Sequence, residues 1–192
     1  SARVDDPSTA LRPFDADRDG MVFGEGAGAL VLEERRHAES RGVPILARVA
    51  GFAGCFEPRT AGDKPEGAAI GRSIAAALEQ AGLRPADIGH VNAHGLGTSI
   101  DDPLEARAIR DVLGDVPVTA LKGFYGNLGA GSGAVEIVAT VLALRNGEIP
   151  PTLNHHKPDP KCPINVIRDG PMPVRRPTAM VLSQTRIVQS MT

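Results

Sequence analysis

Apolar and polar positions along the 192-residue chain follow two rhythms. A period near 3.6 marks Ile70, Ile74, Leu78 and Ala81, which share one face of a helix predicted over residues 65–81 and closed by Gly82. The same period places Ile109, Val112 and Leu113 inward on a helix predicted to open at Asp102-Pro103-Leu104-Glu105. There Asp102 is the expected N-cap, Pro103 occupies N1 and Glu105 sits at N3. Short apolar runs bounded by Gly and Pro predict strands over 26–33, 45–55, 88–94 and 117–121, with extended pieces near 164–167 and 178–183. Residues 34–41 form a short charged helix between the first two strands, and residues 1–25 read as loop. Strands alternating with helices predict an α/β domain.

One helix breaks the amphipathic rule. Across residues 134–145, Val135, Ile137, Val138, Val141, Leu142 and Leu144 point in nearly every direction, and only Glu136 and Thr140 interrupt them before Arg145. A helix apolar all round must be covered on all sides, which one α/β layer does not do. The pattern predicts a further layer or a second chain packed on it.

Composition narrows the classes. An apolar share of 42% excludes a disordered chain, and no run of about 20 apolar residues supports a membrane span. A net charge of -2 argues against nucleic acid as partner. The basic clusters Arg35, Arg36, Arg41 and Arg175, Arg176 read as solvated surface, with a docking patch for an acidic partner as the alternative. Cys55 and Cys162 are isolated thiols without metal or redox spacing, and with no secretory signal they suit a cytoplasmic protein.

Several motifs invite chemistry. Asp15-x-Asp17-x-Asp19-Gly20 resembles the start of a calcium loop, but its twelfth position is Gly26, so a polar turn is the better reading. Gly24-x-Gly26-x-Gly28 precedes a strand, not a helix, which fits close backbone packing rather than dinucleotide binding. His155, His156 and Cys162 match no zinc spacing, and no metal is expected. The polar trio His94, Lys122 and Asn127 is more suggestive. His94 ends one predicted strand, Lys122 follows the next, and Asn127 lies in the glycine-rich loop 126–133. Adjacent parallel strands would gather such ends at a ligand crevice suited to an oxyanion or enolate.

The segments Arg12-Pro-Phe-Asp15 through Glu33, Val91-Asn-Ala-His94-Gly-Leu-Gly-Thr98 with Asp102 and Glu105, Lys122-x-x-x-Gly126-Asn127 and Ile149-Pro150-Pro151-Thr152-Leu153-Asn154 together resemble β-ketoacyl-[acyl carrier protein] synthases of the ketoacyl synthase II type. The resemblance spans about Ser1 to Ser183. It implies a thiolase-like fold of two similar halves stacked α-β-α-β-α. Residues 1–192 would be the C-terminal half, with a mixed five-stranded-type sheet, helices on its faces and its last strand missing. It further implies decarboxylative Claisen condensation of a malonyl-carrier protein with an acyl thioester, in fatty-acid or polyketide synthesis. On that likeness His94 matches the first family histidine, Lys122 the active-site lysine, Glu105 the acid expected to pair with it, and Thr98 a threonine that contacts the pantetheine arm. The expected partners are an acyl carrier protein, an N-terminal half bearing the nucleophilic cysteine, and a second subunit in a homodimer or heterodimer. No cofactor is implied beyond the carrier's phosphopantetheine.

Four departures stand out. Neither Cys55 nor Cys162 matches the nucleophile, so the isolated chain is expected to be inactive. Asn127 replaces the family's second histidine; its amide can still donate a hydrogen bond but cannot take up a proton. The segment after Val181 lacks the family's Phe-Gly-Phe-Gly-Gly-type loop, and Leu96 stands where a second pantetheine-contacting threonine is usual. These changes keep a rival open: a non-catalytic, chain-length-factor-like or scaffolding subunit.

Overall fold

The computed structural model describes residues 1–3, 5–58, 66–185 and 190–191. In chain order the elements are α1 (Arg35–Ser40), β1 (Gly54–Cys55), α2 (Ala68–Ala81), β2 (His90–Asn92), α3 (Asp101–Leu113), β3 (Pro117–Thr119), α4 (Lys122–Tyr125) and α5 (Ser132–Asn146). The short strands β4 (Glu148–Ile149), β5 (Asn165–Val166), β6 (Met172–Pro173), β7 (Ala179–Val181) and β8 (Ser190–Met191) follow. Among the described residues the central sheet has four strands in the order β5-β3-β2-β7. Every pairing in it is parallel, with Val91 opposite Val118 and Met180. The α/β layering with helices on the faces of the sheet stands, the four described strands of that sheet being parallel. The antiparallel pairs β4-β6 and β1-β8 lie apart from it.

The two faces of β2 do different work. Successive strand side chains alternate faces, and Val91, with Val118 and Met180, joins the core of Ile70, Ile74, Leu78 and Ile109 from α2 and α3. Asn92 points the other way, donating to the Glu136 carbonyl at 3.1 Å and the Thr140 hydroxyl at 2.9 Å on α5. The apolar stripe of α2 is thus used as its spacing requires, and Gly82 at φ +65° ends the helix. Pro65, the expected start of that helix, lies outside the described residues.

The cap of α3 differs from expectation. Its first residue is Asp101, whose N–H is taken by the Thr98 hydroxyl at 2.8 Å. The Asp102 carboxylate instead accepts N–H groups from Phe14 (2.8 Å), Gly97 (3.0 Å) and Thr98 (3.2 Å), tying the N-terminal loop to the turn after β2. Phe14 is fully buried at φ +60°, a backbone state uncommon for a bulky residue, and the Asp102 bond helps hold it there. Asp15 likewise spends its carboxylate on the N–H groups of Asp17, His156 and Lys157, as a polar turn does.

Two predicted strands form no full ladder among the described residues. Within these, 26–33 pairs with no other strand, and of 45–55 only β1 pairs, with β8. A β-ladder needs a partner backbone, whatever the propensity of the residues. Their apolar side chains stand open: Val31 is 88% exposed, and Leu32, Val49 and Phe52 are more than half exposed. Strand β8 gives the chain one more strand after β7, while residues 186–189 and 192, in the stretch read as lacking the terminal loop, lie outside the described residues.

Candidate active site

Three buried groups meet beyond the end of β2. Backbone leaves β2 at Asn92, and two residues later His94 sits where the chain turns through Gly95 and Gly97, both at positive φ. A side chain on Gly95 would strike Ala120 at 2.6 Å, so glycine permits the turn to press against β3's exit. Lys122 opens α4 just past β3 and is fully buried. Its ammonium lies 3.0 Å from His94 Nδ1, donates to the His94 carbonyl at 2.7 Å, and donates to Glu136 on α5.

This arrangement fixes a tautomer. An ammonium donates and never accepts, so Nδ1 must be the acceptor and Nε2 carries the proton. Burial, aided by the Lys122 charge, holds His94 well below the ordinary histidine range, so the ring is neutral. The product is a neutral imidazole presenting one N–H donor.

The acid bonded to Lys122 is Glu136, not Glu105. Glu105 is buried on α3 and accepts the N–H groups of His94 (2.7 Å) and Gly95 (2.9 Å). It braces the histidine backbone, while its charge acts on Lys122 from a distance. Burial pushes Glu105 up to about 7 and Glu136 up to about 6, with Lys122 opposing both. The sequence carried a sign of Glu136 that spacing to the lysine did not. On α5 the buried positions Ser132, Glu136, Thr140 and Ala143 form a mainly polar stripe, while apolar Ile137, Val138 and Leu142 are the exposed ones. The helix is inverted: its two polar interruptions, four residues apart, face the sheet.

Asn127 and Thr98 stand apart from this cluster. Asn127 Oδ1 accepts from Gly129 N–H and the Ser132 hydroxyl, both at 3.2 Å, and its Nδ2 reaches the Met21 sulfur at 3.5 Å. Its backbone pairs with the chain at Phe23, and Gly24 packs so tightly on the Tyr125 carbonyl that no Cβ would fit. The Thr98 hydroxyl is occupied at the α3 cap, donating to Asp101 at 2.7 Å. Cys162 is buried, its thiol pushed up to about 12, and lies outside the cluster. Cys55, in β1, is half-buried.

Comparison with known proteins decides the family. Residues 46–156 match the family described as β-ketoacyl synthase, C-terminal domain. The chain belongs to the β-ketoacyl synthases. Residues 1–38 match the β-ketoacyl synthase N-terminal domain, so the match passes from one domain to the other before residue 46. The chain is 45% identical over 176 residues to the 3-oxoacyl-[acyl-carrier-protein] synthase 2 of Mycobacterium bovis, covering 90% of this chain and 42% of that protein. A β-ketoacyl synthase from Burkholderia phymatum superposes with a TM-score of 0.90 at 34% identity, over 100% of this chain and 48% of that one. A type II polyketide ketosynthase solved with its acyl-carrier protein and a bound hexaketide superposes with a TM-score of 0.88 at 34% identity, over 96% and 47%. The fold is therefore thiolase-like, and the chain spans less than half the length of these β-ketoacyl synthases.

Proposed function

We propose that this chain supplies the decarboxylation half of a β-ketoacyl synthase site. The observation that carries the reading is the His94 tautomer fixed by Lys122. Decarboxylation of a malonyl thioester leaves an enolate whose oxygen needs a preorganised donor. Nε2–H of a neutral His94 is such a donor, and the Asn127 amide is the second once it turns from Met21. Lys122, held by Glu136, keeps the imidazole in register and adds positive potential behind the developing anion. The cysteine thiolate that carries the acyl group comes from the N-terminal domain, of which residues 1–38 match a small part.

The same reading accounts for the uncovered apolar surface. The open sides of residues 26–33, 45–53 and α5 are where the rest of the N-terminal domain, or a second subunit, packs. The carrier protein would bring malonyl on its phosphopantetheine arm, and Thr98 borders that path. A second reading, a non-catalytic chain-length-factor-like subunit, draws on Asn127, whose donor is turned to a sulfur rather than toward His94.

Acyl loading of the complete protein, read by mass spectrometry, separates the two. A covalent acyl adduct with release of carbon dioxide from malonyl-carrier protein supports the enzyme; neither event leaves the subunit.

A further inference from the structure

Among the described residues, the buried polar atoms that bond nothing include the second carboxylate oxygen of Glu136 and the hydroxyl of Tyr125. Such atoms are rare because each forfeits its solvation without return. Tyr125 is the only tyrosine in the chain. It lies three residues after Lys122 on α4, so the two share one side of that turn. Lys122 bonds one oxygen of Glu136 and leaves the other free. One member of the ion pair thus carries a buried, unpaired acceptor, and the helix that holds the other member carries a buried, unpaired donor.

We infer that Tyr125 is a positioning residue: its hydroxyl donates to the free oxygen of Glu136, completing a Tyr125–Glu136–Lys122–His94 chain that aims the imidazole. No hydrogen bond joins the phenol and the carboxylate in the structure, so the proposed bond requires one of the two side chains to turn. Burial first, then the Glu136 charge, raises Tyr125 above the ordinary tyrosine range. A phenol that stays protonated is a permanent donor. Bonding to ionised Glu136 favours its charged form, the form Lys122 needs. The other charged or titrating groups facing Glu136 are Lys122 on α4, Glu105 on α3 and His94 after β2.

The kinetic part of the test rests on the condensing-enzyme reading; the spectroscopic part does not. In the complete protein, Tyr125→Phe keeps the ring and removes the donor. Malonyl-carrier protein decarboxylation should then lose its acid limb about one pH unit higher, with the drop in kcat growing toward about tenfold at the acid end of the profile and KM unchanged. A profile that overlays the unmodified protein overturns the proposal. Independently, 3-fluorotyrosine is incorporated and the Tyr125 fluorine resonance identified by its loss in Tyr125→Phe. That resonance should shift with a midpoint below about 6, the value for Glu136 without the proposed bond, because the bond favours the carboxylate. The shift should vanish in Glu136→Gln and survive in Glu105→Gln. No shift between about pH 4 and 8, or a shift that survives Glu136→Gln, overturns the proposal. If the unmodified protein releases no carbon dioxide, the enzyme reading fails while the fluorine titration still decides this one.

Discussion

Strand β2 and the segment 26–33 each set a valine in a stretch whose pattern predicts a strand, yet they end in opposite environments. Val91 in β2 is fully buried between β3 and β7, while Val31 in the segment is almost fully exposed. The difference is not propensity, since valine favours strands in both places. It is the presence of a partner backbone. β2 finds its neighbours within residues 117–181; the segment, which matches the family's N-terminal domain, finds none among the described residues. The hydrophobic pattern states what a segment needs, not whether the same piece of chain provides it.

The largest test strikes the buried side of that comparison. Lys122→Met leaves the Glu136 charge unpaired in the core and should cost about 3–5 kcal/mol in the complete protein, read by denaturant melting. The double change Lys122→Met with Glu136→Leu should recover most of that stability while leaving decarboxylation lost. If the single change is neutral, the ion pair does not organise the site.

The exposed side is tested next. Val31→Asp should cost about 3 kcal/mol in the complete protein, because a partner layer would bury an unpaired carboxylate. An unchanged melting temperature would mean the segment stays in water, and the account of its apolar residues would fall.

A smaller effect is expected at His90. It is buried on β2 with neither ring nitrogen bonded, and burial lowers it to about 4. The unfolded chain takes a proton near 6.5 and the folded one does not, so this histidine costs stability increasingly as pH falls from 6.5 toward 4. His90→Leu should therefore stabilise the protein by about 2 kcal/mol more at pH 5 than at pH 8. Equal gains at both values would show that His90 finds a partner in the complete protein.

The same contrast explains what was legible in the sequence. Helices α2 and α3 could be read because their partners lie within the chain, so period and core agree. His94 and Lys122 could be read because strand ends mark a crevice in a parallel sheet. The family resemblance pairs Glu105 with Lys122, whereas the bonded acid is Glu136, which an otherwise apolar helix conceals on its inner stripe. The unpaired segments were read as strands because their pattern is that of a strand, completed elsewhere. The role of Tyr125 had no sequence signal at all, because an unbonded hydroxyl is visible only in three dimensions.

The account rests on a neutral His94 whose Nε2–H meets a developing enolate. The most direct measurement is release of carbon dioxide from malonyl-carrier protein by the complete protein and by its His94→Ala variant. The account predicts a loss of about 10²–10³-fold in kcat with acyl loading of the cysteine retained. Unchanged decarboxylation in His94→Ala would contradict it.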